Sequence, residues 1–179
     1  QKPNENKKPR IALILSGGGA KGIAHIPVLQ MLDSLGIVPD LVVGNSMGSI
    51  VGGLYAMGYS GDSIAHIAKT ANWDNLIGGK VSLNNVSVEE KTEFGRYLIG
   101  MGAKDGKIKL TPFLLNDQNL RTFLADLTYP VYTNTNFDKL SIPFRAIATD
   151  IVNGKEVVLD KGGLAFAMRA SMSIPGAFI

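Results

Sequence analysis

The chain is 179 residues long and contains no cysteine. Disulfides, thiolate nucleophiles and cysteine-ligated metals are therefore excluded, and the absence suits an oxidising or a reducing compartment equally. Histidine is nearly missing as well, with only His25 and His66. Two histidines leave a Ser-His-Asp triad few ways to form, and no H-E-x-x-H or paired-histidine spacing points to a metal. No metal or cofactor is expected. Long apolar runs are lacking too. The nearest, "SIVGGLYAMG" at 49–58, is broken by glycine and falls well short of the ~18 residues that a membrane-spanning helix needs. Charge of one sign is scarce outside the first ten residues. There Lys2, Lys7, Lys8 and Arg10 face only Glu5 and carry the whole net charge of +3, so residues 11–179 hold basic and acidic side chains in equal number. A neutral body behind a basic arm lacks the clustered charge of a nucleic-acid-binding face, and no nucleic-acid partner is expected.

What is present describes one globular domain. Hydrophobic residues make up 45% of the chain and charged residues 18%, enough apolar surface to close a core at this length. Residues 1–9, polar and holding two prolines, are expected to be a disordered basic arm, with residues 10–179 as the domain. A chain that opens on Gln1 rather than Met reads as cut from something longer. Export to the periplasm or outer membrane followed by processing would give such a start; the cytoplasm is the other location left open.

Apolar periodicity supplies the elements. Ile11 to Leu15 is a continuous apolar run closed by Ser16 and glycines, as in a buried parallel strand. A helical stripe follows through Ile23, Ile26, Leu29, Leu32 and Leu35, and Gly36 ends it. A second strand, Leu41 to Val43, breaks at "GNSMGS" into a helix from Ile50 to Met57. Two strand–glycine–helix units in under sixty residues argue for an α/β fold with a parallel sheet. Residues 60–70 read as a short amphipathic helix, 72–112 as irregular with a hairpin and a covering loop, and 117–127 as a helix striped by Leu120, Phe123, Leu124 and Leu127. "FRAIATDIV" and "KEVVLD", joined at Asn153-Gly154, read as a hairpin, and "GLAFAMRAS" as a last helix stopped by Pro175.

Two glycine motifs carry the chemistry. Gly17, Gly19 and Gly22 in "SGGGAKG" satisfy G-x-G-x-x-G, the spacing of a dinucleotide-binding turn. That reading requires an acidic residue at the end of the second strand to hold a ribose, and Gly44-Asn45-Ser46 stands there instead, so a nucleotide-binding oxidoreductase is rejected. Gly44-Asn45-Ser46-Met47-Gly48 is G-x-S-x-G at a strand-to-helix junction, the context of a nucleophile elbow. Ser46 is then the candidate nucleophile. The loop at Gly17, Gly18 and Gly19 becomes a source of backbone N–H donors for an oxyanion, supported by Lys21 and Gly22.

With both motifs in place the chain resembles the bacterial patatin-like phospholipase family. "SGGGAKG" resembles its oxyanion loop and "GNSMGS" its elbow. "FDKLSIPFRAIATDIVNGKEVVL" and "AMRASMSIPGAF" are similar to its central hairpin segment and its last helix before the catalytic aspartate. The resemblance implies a three-layer αβα fold with a mainly parallel central sheet. It also implies acyl hydrolysis of phospholipids or other acyl esters at a membrane surface, through a Ser–Asp dyad. Asn45 replaces a commoner Thr and Pro27 a commoner Gly. The family's aspartate, in D-G-G or D-G-A, would follow "SIPGAF", so the domain is expected to be incomplete at its C-terminus. On that expectation the 179-residue chain alone would be nearly inactive and prone to self-association, and an inactive fragment or lipid-binding domain is the alternative function. Asp150 and Asp160 are the stand-in bases within the chain but read as turn caps. His25 reads as a structural hydrogen-bonding residue, His66 as a surface one, and Asp105-Gly106 as a turn. The segment 94–110, mixing apolar residues with lysines, is expected to face lipid.

Overall fold

A computed structural model of the protein describes residues 9–76, 101–104, 107–110 and 118–173. Residues 1–8 of the basic arm, residues 174–179 with all of "SIPGAF" but its serine, Asp105-Gly106 and most of the expected covering loop lie outside the described residues.

In chain order the elements are β1 (Ala12–Leu15), a 3-10 segment (Gly19–His25), α1 (Ile26–Ser34), β2 (Leu41–Asn45), α2 (Met47–Ala56), α3 (Gly61–Thr70) and α4 (Trp73–Leu76). Then come β3 (Met101–Lys104), β4 (Lys107–Leu110), α5 (Gln118–Thr128), short 3-10 turns at Tyr129–Val131 and Phe137–Lys139, β5 (Phe144–Asp150), β6 (Lys155–Leu159) and α6 (Leu164–Ser171). The main sheet runs β1-β2-β5-β6, with the first three strands parallel and β6 antiparallel to β5. Expectation and structure agree on the mainly parallel α/β sheet and on the hairpin at Asn153-Gly154. The hairpin expected within 72–112 is β3 paired antiparallel with β4.

Register decides what each strand buries. Leu13, Val42 and Phe144 share one face, and Leu15, Gly44 and Ala146 the next row of it. On this face Val42 and Phe144 are fully buried, while Ile14 and Val158 on the opposite face are 73% and 49% exposed. Helix α2 packs on the buried face and is itself buried at every one of its ten residues. Such a helix has no polar stripe, which is why "MGSIVGGLYA" reads as apolar all round rather than amphipathic. Its small residues let it lie close to the sheet: a side chain at Gly52 would meet Val42 Cγ1 at 2.9 Å. Helix α6 packs against β5 and α5, and α1 against α3.

Two helix starts differ from the periodicity: α2 begins at Met47, directly after the Ser46 turn, rather than at Ile50. The helical stripe starts at Ile23, but the regular helix begins only at Ile26, after seven residues of 3-10 turn. The glycines there hold dihedrals that an α-helix does not use, and Pro27 then sits in the first turn of α1, where its missing N–H costs nothing. Leu35, placed on the stripe, is 63% exposed because α1 has already ended at Ser34.

Candidate active site

Parallel strands present their C-terminal ends on one side, and in open α/β sheets that side carries the site. Strand β2 ends there at Asn45, and the chain turns within one residue into α2. Ser46 makes that turn with φ 51° and ψ −122°, the one non-glycine residue at positive φ among the described residues. Such a conformation costs a β-carbon-bearing residue roughly 1–3 kcal/mol and persists only where its surroundings hold it. The N-terminus of α2 behind Ser46 contributes partial positive charge.

The turn can be this tight because of its glycines. A Cβ on Gly44 would fall on the Gly48 carbonyl oxygen and within 2.5 Å of Ser49 Cα. One on Gly48 would fall on the Leu15 carbonyl and within 2.6 Å of the Ser16 oxygen. The elbow and the end of β1 are thus in backbone contact. Met47, 2% exposed, anchors the start of α2 in the core.

The glycine loop leaves β1 beside this turn. Gly17 lies directly against Ser46, since a Cβ there would stand 3.1 Å from Ser46 Cβ. Gly18 has φ 144° and Gly19 φ 55°. The first hydrogen bond of the 3-10 segment runs from Lys21 N–H to Gly18 C=O at 3.1 Å. The N–H groups of Gly18, Gly19 and Ala20 precede it, at the open N-terminal end of the 3-10 segment. Gly22 is buried against Met47, whose side chain would meet a Cβ there at 2.6 Å, so the far end of the loop is clamped to the elbow. Lys21 projects into solvent. His25 ties the loop to the end of β1 through Nε2 and the Ser16 carbonyl at 3.0 Å. The histidine is structural, as expected, and holds the segment that bears the N–H groups.

The two in-chain aspartates are not brought to Ser46. Asp150 caps the β5–β6 turn: Oδ1 accepts from the Val152 N–H at 2.9 Å and the Asn153 N–H at 3.2 Å, and Oδ2 from Asn153 Nδ2 at 2.7 Å. The Asn153 amide, followed by those two backbone N–H groups, holds this carboxyl below its ordinary pKa, the opposite of what a proton acceptor poised near neutrality needs. In register, Ile147 pairs with Asn45, so Asp150 stands three residues further up the strand, about 10 Å at the usual rise. Asp160 follows the Ala146–Leu159 pair, on the side away from the elbow. His66 is exposed on α3. Among the described residues no base hydrogen-bonds to Ser46 Oγ.

Two site residues were not legible in the sequence. Ser49, fully buried, donates through Oγ to the Ser46 carbonyl at 2.7 Å. Ser171, at the end of α6, accepts the Ser46 N–H at 2.8 Å. The first lies three residues past the nucleophile, where an ST-type back-bond is a readable local pattern. The second lies 125 residues away, and no local signal marks it. Behind Met47 an apolar cavity of about 20 Å³ is lined by Ile23, Ile50, Trp73 and Phe123 among others. It is about the size of one water probe and reads as a packing gap.

The profile of the patatin-like phospholipase family matches residues 13–179. Among curated proteins, the chain is similar to an uncharacterized NTE family protein of Mycobacterium bovis, at 33% identity over 171 residues, covering 96% of this chain and 39% of that protein. It is also similar to Lysophospholipase NTE1 of Cryptococcus neoformans, at 30% identity over 167 residues, covering 93% of this chain and 9% of that protein. The chain therefore spans two fifths or less of these curated relatives. Among solved structures it is similar to the type III effector protein ExoU, with TM-score 0.53 and 18% identity over 94% of this chain and 41% of the other. The Pseudomonas aeruginosa ExoU solved in complex with SpcU gives TM-score 0.55 at 17% identity, over 93% of this chain and 39% of that one. These likenesses carry the fold, three-layer α/β with a mostly parallel four-stranded sheet.

Proposed function

The chain belongs to the patatin-like phospholipase family, and on that footing we propose that it is the catalytic part of a lipid acyl hydrolase with Ser46 as nucleophile. The observation that carries this reading is the contact of Gly17 with Ser46. It sets a strained serine at the N-terminus of α2 against the glycine loop that opens the 3-10 segment, the pairing that acyl transfer requires. Ser46 Oγ attacks the ester carbonyl carbon while a carboxylate takes its proton. The carbonyl oxygen becomes an oxyanion, stabilised by the loop at Gly17, Gly18 and Gly19 and by the α2 N-terminus. Collapse of the tetrahedral species breaks the bond to the lipid alcohol, which leaves with the proton. Water then attacks the acyl-serine by the same path and frees the fatty acid.

The proposed base is the aspartate that the family pattern puts after "SIPGAF", because Asp150 is committed to its turn and Asp160 lies away from the elbow. Gly22, Gly44, Met47 and Gly48 are supporting residues that fix loop and elbow to each other, and Lys21 supports the loop as an exposed cation beside it. The substrate class follows from the family, and the fungal relative's name includes lysophospholipase. Phospholipid and lysophospholipid esters presented at a membrane surface are therefore the first to test.

A fluorophosphonate probe tests the nucleophile directly. Wild-type protein should carry one label, on the peptide containing Ser46, and Ser46→Ala should carry none while keeping its melting temperature. Labelling that survives in Ser46→Ala removes the assignment.

A further inference from the structure

The Ser171 hydroxyl joins three elements at one atom. It donates its proton to the Ile147 carbonyl on β5 at 2.5 Å and accepts the Ser46 N–H at 2.8 Å. A hydroxyl has one proton to give. Once that proton is committed to Ile147, the oxygen can only act as an acceptor toward Ser46, so the direction of both bonds is fixed. A serine at the end of a helix ordinarily bonds back to a carbonyl of its own preceding turn. Ser171 instead reaches across to the sheet and the elbow.

The partner matters as much as the bond. Ser46 is the strained residue of the site, and its peptide is held on both sides. Ser171 takes its N–H, and Ser49 Oγ holds its carbonyl while lying 3.4 Å from the Met168 carbonyl of α6. Each side of the nucleophile is thus referred to the same helix. Without an acceptor for its N–H, the Ser46 peptide is free to rotate toward an ordinary dihedral, and rotation there swings Oγ away from Gly17. Displacements of an ångström at the reacting atom cost on the order of 10²-fold in rate.

We propose that Ser171 is a positioning residue for the nucleophile: its hydroxyl, fixed as an acceptor by Ile147, locks the Ser46 peptide in the reactive conformation. This rests on Ser46 being the nucleophile. It adds a role for α6 that neither glycine motif contains.

The test is the rate of fluorophosphonate inactivation of the full chain at saturating probe, corrected for the folded fraction. Ser171→Ala should lower the limiting rate by about 10–100-fold with the half-saturating probe concentration within twofold of wild type. Ser171→Thr, which keeps the hydroxyl, should stay within a few fold of wild type. Should Ser171→Ala not fold, Ser171→Cys keeps the volume with a poor acceptor and should lose about 10-fold. A purely structural serine would move the folded fraction and leave the limiting rate of folded protein unchanged; that result overturns the proposal. Amide hydrogen exchange gives a readout free of catalysis. The Ser46 N–H should be protected in wild type and Ser171→Thr and exchange freely in Ser171→Ala, and equal protection in all three overturns the lock. Wild-type protein that takes no label at Ser46 removes the nucleophile assignment and this inference with it. A labelled wild type with an unaffected Ser171→Ala removes this inference alone.

Discussion

The elbow and the loop that faces it are both glycine-rich, yet they need glycine for different reasons. At Gly44 and Gly48 the constraint is space: backbone of β1 or of the turn itself occupies the place of any Cβ. At Gly18 the constraint is the backbone angle. Only the flexible Lys21 Cβ, at 3.6 Å, comes near, but φ is 144°. The elbow is therefore part of the core, and the loop is a shaped surface laid against it. A substitution in the first should cost the fold, and one in the second should cost the chemistry.

The largest effect that separates the two is expected at Gly48. Gly48→Ala drives a methyl into the β1 backbone, which has no rotamer with which to yield. A penalty of about 3 kcal/mol or more is expected for such overpacking, which corresponds to a melting temperature lower by roughly 6–12 °C in a domain of this size. Gly18→Ala should invert the pattern. Differential scanning should show a much smaller shift, while fluorophosphonate labelling of Ser46 falls ~10²-fold through loss of an oxyanion donor. If Gly18→Ala unfolds the protein, or Gly48→Ala leaves the melting temperature unchanged, the distinction between packed and shaped glycines fails.

A third turn supplies the control. Asp150 caps the β5–β6 hairpin but serves neither glycine motif. Asp150→Ala should lower stability by about 1 kcal/mol, the value of a typical hydrogen-bonded cap, and leave the labelling rate of Ser46 unchanged. A 10-fold slower label would bring Asp150 back as a base. The smallest effect is expected at the far end of α2. There Tyr55 Oη donates to Asp33 Oδ1 at 2.7 Å, while Asp33 Oδ2 accepts the Gly61 N–H at 2.6 Å. Burial, helped by the Asp33 carboxylate, pushes the phenol up to about 12 from 10. Below pH 10 folded and unfolded chains both keep the proton and stability is flat. Between about 10 and 12 the unfolded chain releases it first, so stability falls as pH rises. Denaturant midpoints measured across that window should fall less in Tyr55→Phe than in wild type, with Ser46 labelling the same in both below pH 10.

The strands, the elbow and the α/β class could be read from the chain because their causes are local. Leu41 to Val43 is apolar because the strand carries Val42 into the core, with Leu41 and Val43 half-buried on its other side, and G-x-S-x-G follows because the turn must be tight. The 3-10 course of Gly19–His25 could not be read that way, since the apolar spacing from Ile23 suits either helix type and only the glycine dihedrals decide between them. Ser171 is the clearest miss. In "AMRAS" a serine on the polar side of a helical stripe looks solvated, and its bonds go to a strand end and an elbow brought to it by the fold. His25 succeeded for the opposite reason, because its partner Ser16 is nine residues away. The expectation that 94–110 faces lipid falls largely outside the described residues, apart from the backbone pairing of β3 with β4.

The separation of 125 residues between Ser46 and Ser171 also orders events in time. A ribosome adding about 5–20 residues per second takes roughly 6–25 s to cover that distance. For most of that interval the nascent chain has its β1, β2 and α2 sequences complete, but the acceptor for the Ser46 N–H has not been made. Until then the strained turn lacks one of its two holds, the Ser49 bond being the other, so Ser46 is synthesised early and secured late. The last described helix, α6, completes the turn that opens α2.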